Sequence, residues 1–220
     1  MLILNFKTYA EATGDNAGKL LDAVVKLSET NPELAQKIVC APSMLDLVHE
    51  KNTHSTLNII SQHVDNKSTG SSTGWATPEN LIAHGISTSL YNHSEHRVWS
   101  DSIVEDIKAI QAKGVQLVVC CENVEEATKV LEATPFGIAF EPKDLIGSGV
   151  SVTTRPEAVS AFIAATKGKT KVFIGAGVST KEDVAKSLEL GADGVLLASA
   201  FVKAEDHVAK AKELAEPFVS

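Results

Sequence analysis

Short apolar, β-branched runs alternate along the chain with longer stretches whose apolar residues recur every three to four positions. The runs are LILNF (2–6), KIVCA (37–41), LNIIS (57–61), ISTSLY (86–91), VQLVVC (115–120), FGIAFE (136–141), KVFIG (171–175) and DGVLLA (193–198). They predict eight strands. The stretches between them, such as AGKLLDAVVKLSE (17–29), predict amphipathic helices, and two carry start signals. Thr77-Pro78-Glu79 offers an N-cap followed by proline at the first helical position, and Ser179 with Glu182 spells a capping box. Eight strand–helix units predict a (β/α)8 barrel of parallel strands. The competing architecture is a doubly wound open sheet. That fold usually advertises a Gly-rich fingerprint after its first strand, where this chain has Asn5-Phe6-Lys7.

A chain of 220 residues with 44% hydrophobic content can bury a sizeable core, and nothing marks an internal boundary, so one domain over 1–220 is expected. The formal net charge of -8, with both signs mixed along the chain, argues against a nucleic-acid or anionic-membrane partner. Any anionic ligand therefore needs cations placed locally. The first residues, MLILNFKTY, lack the basic region, long apolar core and small-residue cleavage site of a signal peptide. No apolar run is long enough to span a bilayer. Cys40, Cys120 and Cys121 lack metal-type spacing and read as buried free thiols, which suits a reducing, cytoplasmic setting.

In a barrel the chemistry gathers on the loops that follow the strands, so the residues after each run are read together. Asn5 and Lys7 follow the first, His63 and Asp65 the third, Asn92, His93 and Glu95 the fourth, and Glu141 the sixth. Later strand ends open on small residues: Ile146-Gly147-Ser148-Gly149, Gly175-Ala176-Gly177 and Ala198-Ser199. Small residues let backbone N–H groups approach a ligand, and a helix starting beside them favours an anion, so these loops together describe a phosphate site. Each glycine run alone serves a turn equally well.

NFKTY, YNHSEHR, EPKDLIGSG, GAGVST and LLASA occur in the order and spacing of the triosephosphate isomerase family, and the chain most resembles its short archaeal form. The likeness runs from Asn5 to about Lys203. It implies a single-domain TIM barrel and interconversion of dihydroxyacetone phosphate and D-glyceraldehyde 3-phosphate through an enediolate, a step of glycolysis and gluconeogenesis, with no metal or organic cofactor. It implies Glu141 as the base beside the substrate carbon and His93 as the group that polarises the carbonyl and shuttles a proton. Ser94 is expected to cap the turn that follows. Lys7 would supply positive charge, Asn5 a neutral donor, and Glu95 the partner that holds Lys7. Residues 142–149, PKDLIGSG, match the family's closing lid, and Ile146, Gly147, Gly177, Ser179, Ala198 and Ser199 its substrate and phosphate contacts. Ser179 is explained equally well as a helix cap.

The chain departs from the family pattern at two places. Ala200 stands where the short form usually has glycine, which predicts strain if that backbone needs a positive φ. His96 replaces a common asparagine. Three other readings compete: a metal-dependent hydrolase using His63, Asp65, His93 and His96; another cofactor-free phosphosugar isomerase; and a non-catalytic phosphometabolite-binding barrel. The last has no reason to keep Lys7, His93 and Glu141 together. The connection HVDNKSTGSSTGWA, 63–76, is long for a βα loop. In the family the corresponding loop docks beside the neighbour's first-strand loop, which implies a homo-oligomer, dimer or tetramer, with Thr73 and Trp75 near Asn5 and Lys7 of another subunit.

Overall fold

The computed structural model describes residues 1–142 and 156–219. Its strands are β1 (Leu2–Asn5), β2 (Ile38–Ala41), β3 (Asn58–Ile59), β4 (Thr88–Tyr91), β5 (Gln116–Cys121), β6 (Gly137–Phe140), β7 (Lys171–Ile174) and β8 (Gly194–Leu197). They form one sheet in the order β3-β2-β1-β8-β7-β6-β5-β4, and every neighbouring pair is parallel. The two edges meet through a parallel bridge between Ser61 and Ser89. There the Ser61 N–H donates to Thr88 O (3.0 Å) and the Leu90 N–H to Ser61 O (2.9 Å). This closes the sheet into the expected barrel and removes the open doubly wound alternative. β3 is shorter than the run 57–61 because only single hydrogen bonds carry the ladder past Ile59, one of them from the Ile60 N–H to Cys40 O (2.9 Å).

Period-two alternation divides each strand between two cores. Leu2 and Leu4 face outward to the helices, whereas Ile3 joins Val118, Ala139, Phe173 and Leu196 inside the barrel. Phe173 fills the floor because its neighbours make room. A Cβ on Gly137 of β6 would lie 2.5 Å from its ring, and one on Gly194 of β8 would lie 2.9 Å from it. Phe173→Ala should leave a cavity that these backbones cannot close and cost about 3–5 kcal/mol, read as a lower midpoint in urea unfolding. A loss below about 1 kcal/mol would show that the floor is not packed on this ring.

The helices are α1 (Asp15–Thr30), α2 (Pro32–Ala35), α3 (Leu47–Thr53), α4 (Pro78–Ala83), α5 (Ile103–Ala112), α6 (Val124–Val130), α7 (Pro156–Thr166), α8 (Lys181–Glu189), α9 (Ser199–Val202) and α10 (His207–Ala215). The stripe Leu20, Leu21, Val24 and Leu27 sinks α1 into the outer core. Thr77 caps α4 as expected, its hydroxyl accepting from the Asn80 N–H with Pro78 in the first turn. The second start signal shifts by one residue: the capping box of α8 is Thr180 with Asp183, not Ser179 with Glu182. Thr180 has the extended φ/ψ an N-cap needs, its hydroxyl accepts from the Asp183 N–H, and Asp183 falls three residues on. The three cysteines are free and buried. Burial pushes the Cys40 thiol up to about 12. Among the described residues no helix is long and apolar enough to cross a membrane.

Candidate active site

Asn5 at the end of β1 and Glu141 just past β6 continue the inward register of those strands, while His93 follows the positive-φ residue Asn92 that ends the extended run of β4, and these side chains meet in one cavity of about 240 Å³ at the carboxyl end of the barrel. Asn5, Lys7, His93 and Glu141 line it together with Gly175, Gly177, Ser179, Ala198 and Ser199. Nine of the eleven residues expected to bind or react are thus placed: all of those just named except Gly175, eight residues, line the cavity as expected, while Glu95 sits behind Lys7. Ile146 and Gly147, with the rest of the expected lid beyond Pro142, lie outside the described residues.

Lys7 has a positive φ of 49°, uncommon for a residue with a side chain. Its N–H donates to Asn5 Oδ1 (3.0 Å), and its carbonyl accepts from Gln62 Nε2 (3.0 Å). These bonds hold the turn that aims the ammonium at Glu95 Oε1, 2.7 Å away. The Glu95 side chain is 55% exposed, so this ion pair adds little stability and acts chiefly to orient the lysine.

His93 is buried at the first position of the turn after β4. Its Nδ1 accepts a hydrogen bond from the Glu95 N–H (3.2 Å), so the ring proton lies on Nε2, which faces the cavity 3.3 Å from Glu141 Oε1. Asn92 supplies a signal that the sequence reading left unused. It is fully buried with φ at 59°, a conformation asparagine tolerates better than most residues. Its Nδ2 donates to Cys120 O (2.9 Å), and its Oδ1 accepts from the Val98 N–H (3.0 Å). The side chain therefore ties both ends of YNHSEHR to β5. An asparagine placed between a buried strand and a histidine could have been read this way. Ser94 is a correction: its hydroxyl is buried without a hydrogen-bond partner among the described residues and caps nothing. The Glu95 N–H, not a Ser94 cap, sets the tautomer of His93.

Farther from the cavity, Arg97 forms a forked pair with Glu126 (3.2 and 2.5 Å) and reaches Glu122 at 3.3 Å. The hydrogen bond from Glu126 raises the guanidinium above its usual value, ahead of the opposing effect of burial. The His96 ring stacks on His63 at 4.0 Å, and His63 Nε2 lies 3.0 Å from Asp65 Oδ1. Burial lowers the His63 pKa despite Asp65. Among the described residues no group of three or more His, Cys, Asp or Glu side chains is placed to hold a metal ion.

Glu141 is 3% exposed, and its Oε2 has no hydrogen-bond partner among the described residues. Its N–H is anchored to Cys121 O (2.9 Å), and its side chain is close enough to Cys120 to perturb that thiol. Burial, followed by the charge of this carboxylate, pushes the Cys120 thiol well above its ordinary range. A buried carboxylate with one free oxygen beside a Nε2–H donor can take a proton from carbon while the donor polarises an adjacent carbonyl.

The opposite rim is built from small residues. Gly177 has a positive φ of 68°, and Ala198–Ser199 lead into α9. Ser199 opens that helix and Ala200 lies within it, so Ala200 does not have a positive φ and the expected strain is absent. The Ser179 hydroxyl and N–H both turn to Asp183 Oδ2 (3.3 and 3.0 Å), which commits this side chain to the start of α8.

The family model described as triosephosphate isomerase matches residues 1–214. The triosephosphate isomerase of Thermoplasma volcanium is 40% identical over 210 residues, 94% of this chain and 95% of that protein. Those of Methanobrevibacter smithii (39% over 210 residues, 94% of this chain and 93% of that protein) and Cenarchaeum symbiosum (38% over 219 residues, 98% and 96%) are similar too. A solved structure of a cube-shaped, highly porous protein cage, designed by fusing symmetric oligomeric domains, shares the fold with a TM-score of 0.67 at 17% identity, over 99% of this chain and 72% of that one. By its family match and its near full-length relatives, the chain belongs to the triosephosphate isomerase family.

Proposed function

We propose that this cavity interconverts dihydroxyacetone phosphate and D-glyceraldehyde 3-phosphate without a metal or organic cofactor. The observation that carries the reading is the convergence of Lys7, His93 and Glu141 from three separate strands on one small cavity. A protein that only bound a phosphometabolite needs the small-residue rim but not this triad.

Glu141 takes the proton from the carbon next to the carbonyl. His93 Nε2–H donates to the carbonyl oxygen as negative charge builds there and then passes a proton between the two oxygens. Lys7, held by Glu95, stabilises the developing enediolate, and Asn5 donates beside it. The dianionic phosphate rests on backbone N–H groups near Gly177 and Ser199, with Ile146 and Gly147 as further contacts. In the free protein Glu141 Oε1 occupies the donor side of His93, so the substrate carbonyl must displace it to bind. A coupled assay with glyceraldehyde 3-phosphate in the presence of EDTA tests the whole reading; turnover that vanishes with chelator, or never occurs, would overturn it.

Residues 142–149 act in this reading as a lid that excludes water and keeps the enediolate from losing phosphate. Replacing Gly147 and Gly149 by valine should slow closure and raise the share of substrate converted to methylglyoxal and inorganic phosphate. Unchanged partitioning would show that this segment is not the gate. The working form is a homo-oligomer joined through loop 63–76, and the setting is the cytoplasm, as the free buried thiols suit.

A further inference from the structure

Gly175 follows β7 directly, and its N–H continues the ladder to Phe140 O (2.9 Å), one residue before Glu141. Its φ is not positive, so the backbone conformation does not call for glycine. The space beside it does. A Cβ built on Gly175 would stand 2.7 Å from Glu141 Cγ, 3.2 Å from its Oε1 and 3.3 Å from its Cδ, and these are the three nearest atoms. The Gly137 and Gly194 positions differ, since their obstruction comes from Phe173 and backbone in the core.

From this contact we infer that Gly175 is a positioning residue for the isomerisation: the absence of its side chain fixes where the Glu141 carboxylate rests. The inference builds on Glu141 as the base. A methyl group at 175 needs about 3.5–4 Å from a carbon neighbour, so Glu141 Cγ must retreat by roughly 1 Å. The side chain can retreat by rotating, because its Oε2 is bound to nothing among the described residues. The fold therefore absorbs the methyl with little loss, while the base moves away from a proton that it must meet within a few tenths of an ångström. A displacement of about 1 Å at a reacting group is worth on the order of a hundredfold in rate. Gly177, two residues on, carries the positive φ and belongs to the phosphate rim, so an effect through the rim would raise KM instead.

The experiment compares Gly175→Ala in the native chain and in a Glu141→Ala background, each by steady-state kinetics and thermal unfolding. In the native chain kcat should fall about 10- to 100-fold, KM should stay within about twofold, and Tm should hold or rise. In the Glu141→Ala background the atoms that obstruct the new methyl are gone, and the second substitution should add no further loss of residual rate. If Gly175→Ala is poorly folded in the native chain, the Glu141→Ala background should restore its Tm. An unchanged kcat, an equal loss in both backgrounds, or misfolding in both would overturn the inference. Failure of the base assignment shows separately, as a Glu141→Ala variant that retains activity.

Discussion

Glu141→Asp is expected to lower kcat by about a hundredfold or more, with KM nearly unchanged. The shorter side chain withdraws the carboxylate by about one bond length from a site whose other walls stay fixed. His93 is held through Nδ1 by the Glu95 N–H, and the Glu141 backbone is pinned to Cys121 O, so neither can follow the retreat. In the proposed reading the phosphate rests on the far rim, so KM should be unaffected. The variant also keeps the negative charge, so a loss of rate reports geometry rather than charge. Near-native kcat in a stopped-time assay would remove Glu141 from the role of base.

Much of this site was legible because a barrel converts strand ends into neighbours. Once LILNF, ISTSLY and FGIAFE are read as parallel strands, Lys7, His93 and Glu141 must face one another whatever their separation in sequence. What escaped the reading depends on coordinates finer than topology. The capping box fell on Thr180 and Asp183 because α8 begins at Lys181, and the start of the helix, not residue type, decides between adjacent hydroxyls. Ala200 carried an expectation of strain that vanishes because the chain enters α9 at Ser199. Asn92 and Gly175 were visible as residues but not as supports. One ties the catalytic turn to Cys120 O, the other leaves the gap that Glu141 fills, and both contacts cross between neighbouring strands.

Thr73→Arg should yield a folded monomer with little activity. Loop 63–76 is closed at its base, where Asp65 holds Ala76 through its N–H and Oδ2 (both 2.8 Å), so its tip projects as one unit. At that tip Thr73 is exposed and Trp75 is 49% exposed, with Lys67 Nζ over its ring at 4.9 Å. A second hollow adjoins the catalytic cavity and is lined by Lys7, Met44, Leu45, Glu95 and His96. Leu45 is 94% exposed beside it. Apolar groups left uncovered on both a protruding loop and a hollow suit a two-fold contact in which each copy's loop fills the other's hollow. The hollow's wall includes the ion pair that aims Lys7, so an empty hollow leaves the lysine free to lose its orientation to solvent. Arginine at 73 would place a bulky cation against Lys7, which opposes docking through both size and charge. The substitution sits far from the barrel core, and circular dichroism should therefore remain native while light scattering reports the mass of one chain. A variant that stays oligomeric and fully active would show that this loop is not the interface and that Lys7 is held without a partner.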